Sequence, residues 1–136
     1  MLKPLHAMTE PTNLPFAGLK ILLVEDEYVI ASDLKQILTS LGADIIGPAA
    51  TIAAAEKLLG NNPPPDAAIL DINVRGALVY PIAENLVTKG VPFAFVTGYS
   101  ANSVPAEYSA APHCEKPVTA RNVEAAVRDC LQMKSA

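Results

Sequence analysis

The segment AAILDIN, at positions 67–73, places a carboxylate directly after a run of apolar residues. Removing a charge from water costs several kcal/mol unless the charge is paired, so the position of Asp71 needs a physical reason. Asp71 could simply begin the next turn, since Asp is a favoured turn residue. If it is reactive instead, the rest of the chain should supply its partners.

Four other polar side chains also follow apolar segments, and each of them alone could be a helix cap, a turn residue or a solvated charge. They are Glu25, Asp26, Thr97 and Lys116. In open α/β sheets, ligands bind beyond the carboxyl ends of the strands. If the apolar segments are parallel strands of one sheet, Asp71 and these four side chains meet at the same edge.

Three acids, a hydroxyl and an ammonium together fit phosphoryl transfer to a carboxylate. Crowded carboxylates repel, so at least one pKa should be raised in the absence of a cation. A hard divalent cation, Mg²⁺ or alternatively Mn²⁺, would relieve this repulsion and neutralise an incoming phosphoryl group. Asp71 would then be the nucleophile, with Thr97 and Lys116 contacting the phosphoryl oxygens.

The elements that would position these side chains alternate between apolar runs and segments of helical period. Strands are predicted at 20–24, 44–48, 67–70, 91–96 and 114–115. Continuous apolar runs, rather than alternating ones, indicate strands buried on both faces. The predicted fold class is therefore α/β, with a doubly wound five-stranded parallel sheet and helices on both of its faces.

Helices are predicted between these strands from their apolar period and their end signals. The first carries its apolar face from Val29 to Leu41 before Gly42, and Thr51 caps a second that runs to Leu59. Pro81 is an early residue of the third, and Thr119 caps the last. Residues 100–112 contain two prolines and several serines, and we expect a loose segment there.

Length and composition limit the classes of function. The 136 residues suit a single domain, predicted at 19–136 with no output domain, after a flexible tail at 1–18. The formal charge of −4 without a basic stripe disfavours direct nucleic-acid binding. No apolar run could cross a bilayer and no secretory signal is evident, so a cytoplasmic location without membrane insertion is expected. Cys114 and Cys130 match no metal spacing and are expected to be buried thiols.

Four motifs make the chain similar to receiver domains of response regulators in two-component signalling. They are ILLVEDE, AILDIN, FVTGY and EKP, within a resemblance that spans Leu19 to Met133. The resemblance implies a flavodoxin-like sheet of order 2-1-3-4-5, with Asp71 as the phosphoacceptor. It implies that Asp26 binds the metal directly, Glu25 through water, and Asn73 through its backbone carbonyl. It assigns the family's hydroxyl and lysine to Thr97 and Lys116, and it implies a cis Lys116–Pro117 bond.

The resemblance also implies partners and a mode of signalling. A sensor histidine kinase would donate the phosphoryl group, and the stand-alone regulator would act through an unidentified downstream protein or a phosphorelay. Such a regulator catalyses its own phosphorylation and dephosphorylation and is not otherwise an enzyme. The segment PFAFVTGYS resembles a subgroup with a Phe-Ala-Thr-Gly-x-Tyr signature, whose members resemble partners of HWE and HisKA2 kinases.

Three departures from the family pattern concern the switch and the loop after Asp71. His113 stands where receivers usually carry an aromatic switch residue, and no proline follows shortly after Asp71. Tyr99 could act in place of the usual switch residue or could only pack on the surface. We also expect phosphorylation or metal binding to order residues 100–112.

Two alternatives come from other functional classes. A haloacid-dehalogenase-type phosphatase also combines a strand-end Asp with a hydroxyl and a lysine. It needs a second acid two residues after the nucleophile, and Asn73 cannot serve as one. The other alternative is a binding module that keeps the receiver fold without being phosphorylated.

Overall fold

The computed structural model describes residues 14–98 and 104–134. Its strands, in chain order, are β1 (Lys20–Val24), β2 (Asp44–Ala49), β3 (Ala67–Asp71), β4 (Asn73–Val74), β5 (Ala77–Leu78), β6 (Phe93–Thr97) and β7 (His113–Glu115). Five of them form a parallel sheet of order β2-β1-β3-β6-β7. Apart from the small β4–β5 pair, this is the predicted order 2-1-3-4-5, which is confirmed.

The described residues contain four α-helices, of which the first three connect strands and the fourth follows the last strand. They are α1 (Tyr28–Ser40), α2 (Ile52–Asn61), α3 (Tyr80–Thr88) and α4 (Ala120–Lys134). The Thr51 hydroxyl accepts the Ala54 N–H at 3.0 Å, and the Thr119 hydroxyl accepts the Asn122 N–H at 3.1 Å. Both predicted caps are therefore present. Within the described ranges, no helix has the length and apolar character needed to cross a membrane.

The sheet is covered on both faces, as predicted. Successive strand residues point to opposite faces, so each buried strand contributes to two apolar layers. On one face Ile21, Leu23 and Ile69 pack with side chains of α1 and α4. On the other face Leu22, Leu70 and Phe95 pack with side chains of α2 and α3.

The N-terminal boundary differs from the sequence-based prediction. Residues 1–13 lie outside the described residues, but residues 14–18 form turns packed on the domain. Phe16 is only 1% exposed, and its N–H donates to the Leu41 carbonyl at 2.8 Å. The chain passes so close to Gly42 that a Cβ there would lie 2.8 Å from the Ala17 nitrogen. The flexible tail thus stays a prediction for residues 1–13 alone.

An unpredicted hairpin follows β3. Strands β4 and β5 pair antiparallel through Asn73–Leu78 and Val74–Ala77, leaving Arg75 and Gly76 as a two-residue turn. Both have positive φ, 52° at Arg75 and 81° at Gly76, as the tightest hairpin turn requires. Positive φ is uncommon for Arg, so the sequence carried no usual turn signal here.

The segment before β7 is not an α-helix over its described part. Residues 100–103 lie outside the described residues, and residues 104–112 contain a 3₁₀ helix at Ala106–Tyr108. Tyr108 is 8% exposed and stacks on Tyr80 with ring centroids 5.4 Å apart. The predicted cis bond at Lys116–Pro117 is present, and Gly47–Pro48 is cis as well.

Candidate functional site

Asp71 is the last residue of β3 and is 5% exposed. Its Oδ2 accepts a hydrogen bond from Lys116 Nζ at 3.1 Å, and its Oδ1 accepts the Asn73 N–H at 3.3 Å. The carboxylate is therefore paired with an ammonium as well as nearly buried. This pairing offsets the cost of placing a charge at the end of a buried strand.

Three carboxylates converge at this edge of the sheet. Glu25, Asp26 and Asp71 each present an oxygen within 4.8 Å of the other two. A cleft of about 430 Å³ opens over them. Its lining comprises Asp26, Glu27, Asp71, Asn73, Gly98 and Lys116. Three of the five strand-end residues selected from the sequence, Asp26, Asp71 and Lys116, thus line one concave site.

Glu25 is the most deeply buried member of the acidic cluster, at 1% exposure. Burial, together with the hydrogen bond and the negative charge of Asp71, raises the pKa of Glu25 to about 8. Its Oε2 accepts the Glu27 N–H at 3.1 Å, whereas Oε1 is buried without a hydrogen-bond partner among the described residues. A buried, unpartnered carboxylate oxygen beside two other acids fits the donor set of a hard divalent cation.

Lys116 lies after β7 and donates into the acidic cluster. Its Nζ is 2.6 Å from Glu27 Oε1, 3.1 Å from Asp71 Oδ2 and 3.6 Å from Glu25 Oε2. Burial lowers the pKa of Lys116, but the three carboxylates outweigh it and hold the pKa above its ordinary value. The ammonium therefore stays charged over the physiological pH range.

Asp26 is held by the hairpin that follows β3. The Arg75 N–H donates to Asp26 Oδ2 at 3.0 Å, which fixes one carboxylate oxygen. The Gly76 N–H donates to Asn73 Oδ1 at 2.9 Å, so the Asn73 side chain braces the turn. The hairpin thus orients Asp26 across the cleft from Asp71.

Three predicted site residues remain. Two of them, Thr97 and His113, lie on strands of the sheet, and the third is Tyr99. Thr97 is buried at the end of β6, and its carbonyl accepts the Lys116 N–H at 3.0 Å. His113 begins β7, with its ring centroid 5.6 Å from that of Phe95 and its Nε2 buried without a partner in the described structure. Tyr99 lies outside the described residues, so its suggested switch role stays a prediction.

Sequence reasoning missed two contributors to the site. Glu27 appeared only as the end of an acidic run, yet its carboxylate makes the shortest contact to Lys116. Arg75 contributes through its backbone N–H, which no residue pattern identifies. The two partners in the Glu27–Lys116 pair are 89 residues apart. The available sequence signal for this contact was the position of Glu27, a third acid directly after the strand-end pair Glu25 and Asp26.

Comparison of the chain with known proteins identifies relatives, although no family model matches the chain. The Phyllosphere-induced regulator PhyR of Methylorubrum extorquens is 32% identical over 115 residues, which is 82% of this chain. The match covers 43% of PhyR, so the chain spans less than half of that curated relative.

Solved structures give matches over nearly their full length. SdrG from Sphingomonas melonis Fr1 is 38% identical, with a TM-score of 0.75 over 83% of this chain and 96% of SdrG. A structure of the BeF₃-activated conformation of SdrG matches with a TM-score of 0.72. A CheY-like receiver domain protein from Methanospirillum hungatei is 26% identical, with a TM-score of 0.73 over 86% of this chain and 96% of that protein. With this fold, strand order and identity, the chain belongs to the response-regulator receiver (CheY-like) family.

Proposed function

We propose that the protein accepts a phosphoryl group on Asp71 from a sensor histidine kinase, in a reaction that depends on Mg²⁺. The observation that carries this proposal is the contact of Lys116 Nζ with Asp71 Oδ2 at 3.1 Å beside the cluster of three acids. A lysine and an aspartate that only formed an ion pair on the surface would not need two further carboxylates beside them. Here a nucleophile, a cation and two further carboxylates share one cleft.

The reaction follows from these positions. An oxygen of Asp71 attacks the phosphorus, and the bond from phosphorus to the donor breaks, with its electron pair leaving on the histidine nitrogen or on the oxygen of a small donor. The product is an aspartyl phosphate, and no oxidant or reductant is needed. The Lys116 ammonium contacts a phosphoryl oxygen as negative charge builds up there, and we assign the same role to the Thr97 hydroxyl.

Glu25, Asp26 and Asp71 would hold the divalent cation, together with the backbone carbonyl of Asn73. When bound, Mg²⁺ would neutralise charge on the acids and on the phosphoryl group. The raised pKa of Glu25 and its unpartnered Oε1 support this assignment. Mn²⁺ would suit the same oxygen ligands.

The relatives support a signalling role rather than hydrolysis of a separate substrate. The BeF₃-activated conformation is known for SdrG, and beryllofluoride stands in for a phosphoryl group on a carboxylate. By extension, this chain would change its interactions when Asp71 is phosphorylated, acting on a downstream protein or passing the group along a relay. The motif PFAFVTGYS further suggests a kinase of the HWE or HisKA2 type.

Intact-mass analysis after incubation with acetyl phosphate and Mg²⁺ tests the proposal. We expect one phosphoryl group, stable in acid and labile in base, that is lost on omitting Mg²⁺. Asp71→Asn should abolish the adduct, whereas Asp33→Asn, at an exposed carboxylate of α1, should leave it intact. An adduct that persists in Asp71→Asn would overturn the assignment, and no adduct on the native chain would favour the unphosphorylated binding module.

A further inference from the structure

The Lys116 ammonium lies among three carboxylates before any phosphoryl group arrives, and it donates hydrogen bonds to two of them, Glu27 and Asp71. An ammonium has three N–H donors, and three carboxylates face it here. Asp71 and Glu25 are two of them and belong to the acidic cluster of the proposed reaction. The third, Glu27, lies on the outer side, with its side chain 59% exposed at the rim of the cleft.

Glu27 makes the closest of these contacts. Its Oε1 lies 2.6 Å from Lys116 Nζ, compared with 3.1 Å for Asp71 Oδ2 and 3.6 Å for Glu25 Oε2. Charge-assisted hydrogen bonds strengthen as they shorten. A phosphoryl oxygen on Asp71 would therefore compete for the Lys116 ammonium with this short contact to Glu27.

We propose that Glu27 is a positioning residue that holds the Lys116 ammonium at the rim of the cleft and competes with the phosphoryl group for it. The carboxylate of Glu27 thereby slows phosphorylation of Asp71 and weakens binding of phosphoryl mimics. This inference rests on the proposed function, because it concerns the same lysine and the same acceptor.

Phosphorylation kinetics of Glu27→Gln test the inference. We expect acetyl phosphate with Mg²⁺ to phosphorylate the variant about twofold to fivefold faster, in line with the loss of a partly exposed ion pair. The affinity for beryllofluoride should rise by a similar factor. Glu124→Gln is the matched control, since it removes a half-buried glutamate from an ion pair with Arg128 on α4 and should leave both quantities unchanged.

A second variant separates contact from charge. Glu27→Asp keeps the negative charge at the rim but withdraws the carboxylate by one methylene group. If Glu27 acts through its contact with Lys116, Glu27→Asp should resemble Glu27→Gln. If the charge merely repels an anionic donor, Glu27→Asp should resemble the native protein, and that result would overturn the inference. Rates within twofold of the native value in Glu27→Gln would overturn it as well.

A third measurement needs no phosphoryl donor. The ¹⁵N–¹H resonance of a lysine ammonium is observable when hydrogen bonds protect its protons from exchange with water. At fixed pH, without metal, the Lys116 signal should broaden in Glu27→Gln and Glu27→Asp but not in Glu124→Gln. If the signal responds in this way but the native protein accepts no phosphoryl group, the proposed function fails while the contact stands. If the native protein is phosphorylated and the signal does not respond, the positioning role fails.

Discussion

The two faces of the sheet are covered differently. On one face two long helices, α1 and α4, pack over a mainly aliphatic layer. On the other face an irregular segment packs beside the helices. That second face has the shorter helices α2 and α3, and residues 104–112 cover its far side. Four aromatic rings hold this segment in place, those of Tyr80, Phe93, Phe95 and Tyr108. The helical face is therefore continuous, while the aromatic face depends on a few ring contacts.

This difference indicates where the domain can respond without unfolding. A segment whose regular structure is a single 3₁₀ turn opens locally more easily than a packed α-helix. Residues 104–112 lead directly into β7, and Lys116 follows the last residue of β7. Residues 104–112 are therefore joined to the acidic cleft by the short strand β7.

The largest effect is expected on the helical face. Leu38 of α1 is fully buried, and Leu38→Ala should lower the free energy of unfolding by about 3 kcal/mol through lost burial and a residual cavity. Urea denaturation followed by circular dichroism measures this change. The control Leu78→Ala, at an exposed side chain of the hairpin, should change stability by less than about 0.5 kcal/mol.

Thiol reactivity probes the same face in the native state. Burial raises the pKa of Cys114 to about 11 and, with a contribution from Asp129, that of Cys130 to about 12. A raised thiol pKa lowers the thiolate fraction, so at pH 8 a disulfide reagent should react at least about 100-fold more slowly than with the urea-unfolded chain. Equal rates in the folded and unfolded protein would contradict the continuous cover of this face.

Tyr108→Ala should weaken the aromatic face selectively. We expect a loss of about 1–2 kcal/mol in the free energy of unfolding, less than for a fully enclosed aromatic ring, because the segment can detach from the sheet. Hydrogen exchange measured by mass spectrometry should accelerate across 104–112 but not in α4. Tyr108→Phe, which keeps the ring, should behave as the native protein, and equal acceleration in α4 would show that the two faces are not independent.

The smallest effect is expected on adding Mg²⁺ and beryllofluoride to the native protein. Amide exchange across residues 104–112 should slow by about threefold to tenfold if phosphorylation orders this segment. Exchange in α1 and α4 should stay unchanged and serves as the internal control. Unaltered exchange across 104–112 would refute the order–disorder hypothesis.

Residue pattern was sufficient to predict the sheet and to predict that the three acids and Lys116 lie together. Apolar runs predict the five main strands because buried parallel strands tolerate little else, and the strand-end rule then selects Asp71 and Lys116. The Arg75–Gly76 turn escaped prediction because Arg rarely adopts positive φ. Burial of Phe16 and the pairing of Glu27 with Lys116 depend on tertiary contacts, which local patterns do not encode.

The edges of the sheet bear on self-association. An exposed edge strand offers unpaired N–H and C=O groups to which another chain can add a strand. Edge strand β2 contains Pro48, which has no N–H to donate, and its pairing with β1 is irregular between Leu22 and Val24. Edge strand β7 is only three residues long. Neither edge strand is therefore a good template for the addition of a strand from a second chain.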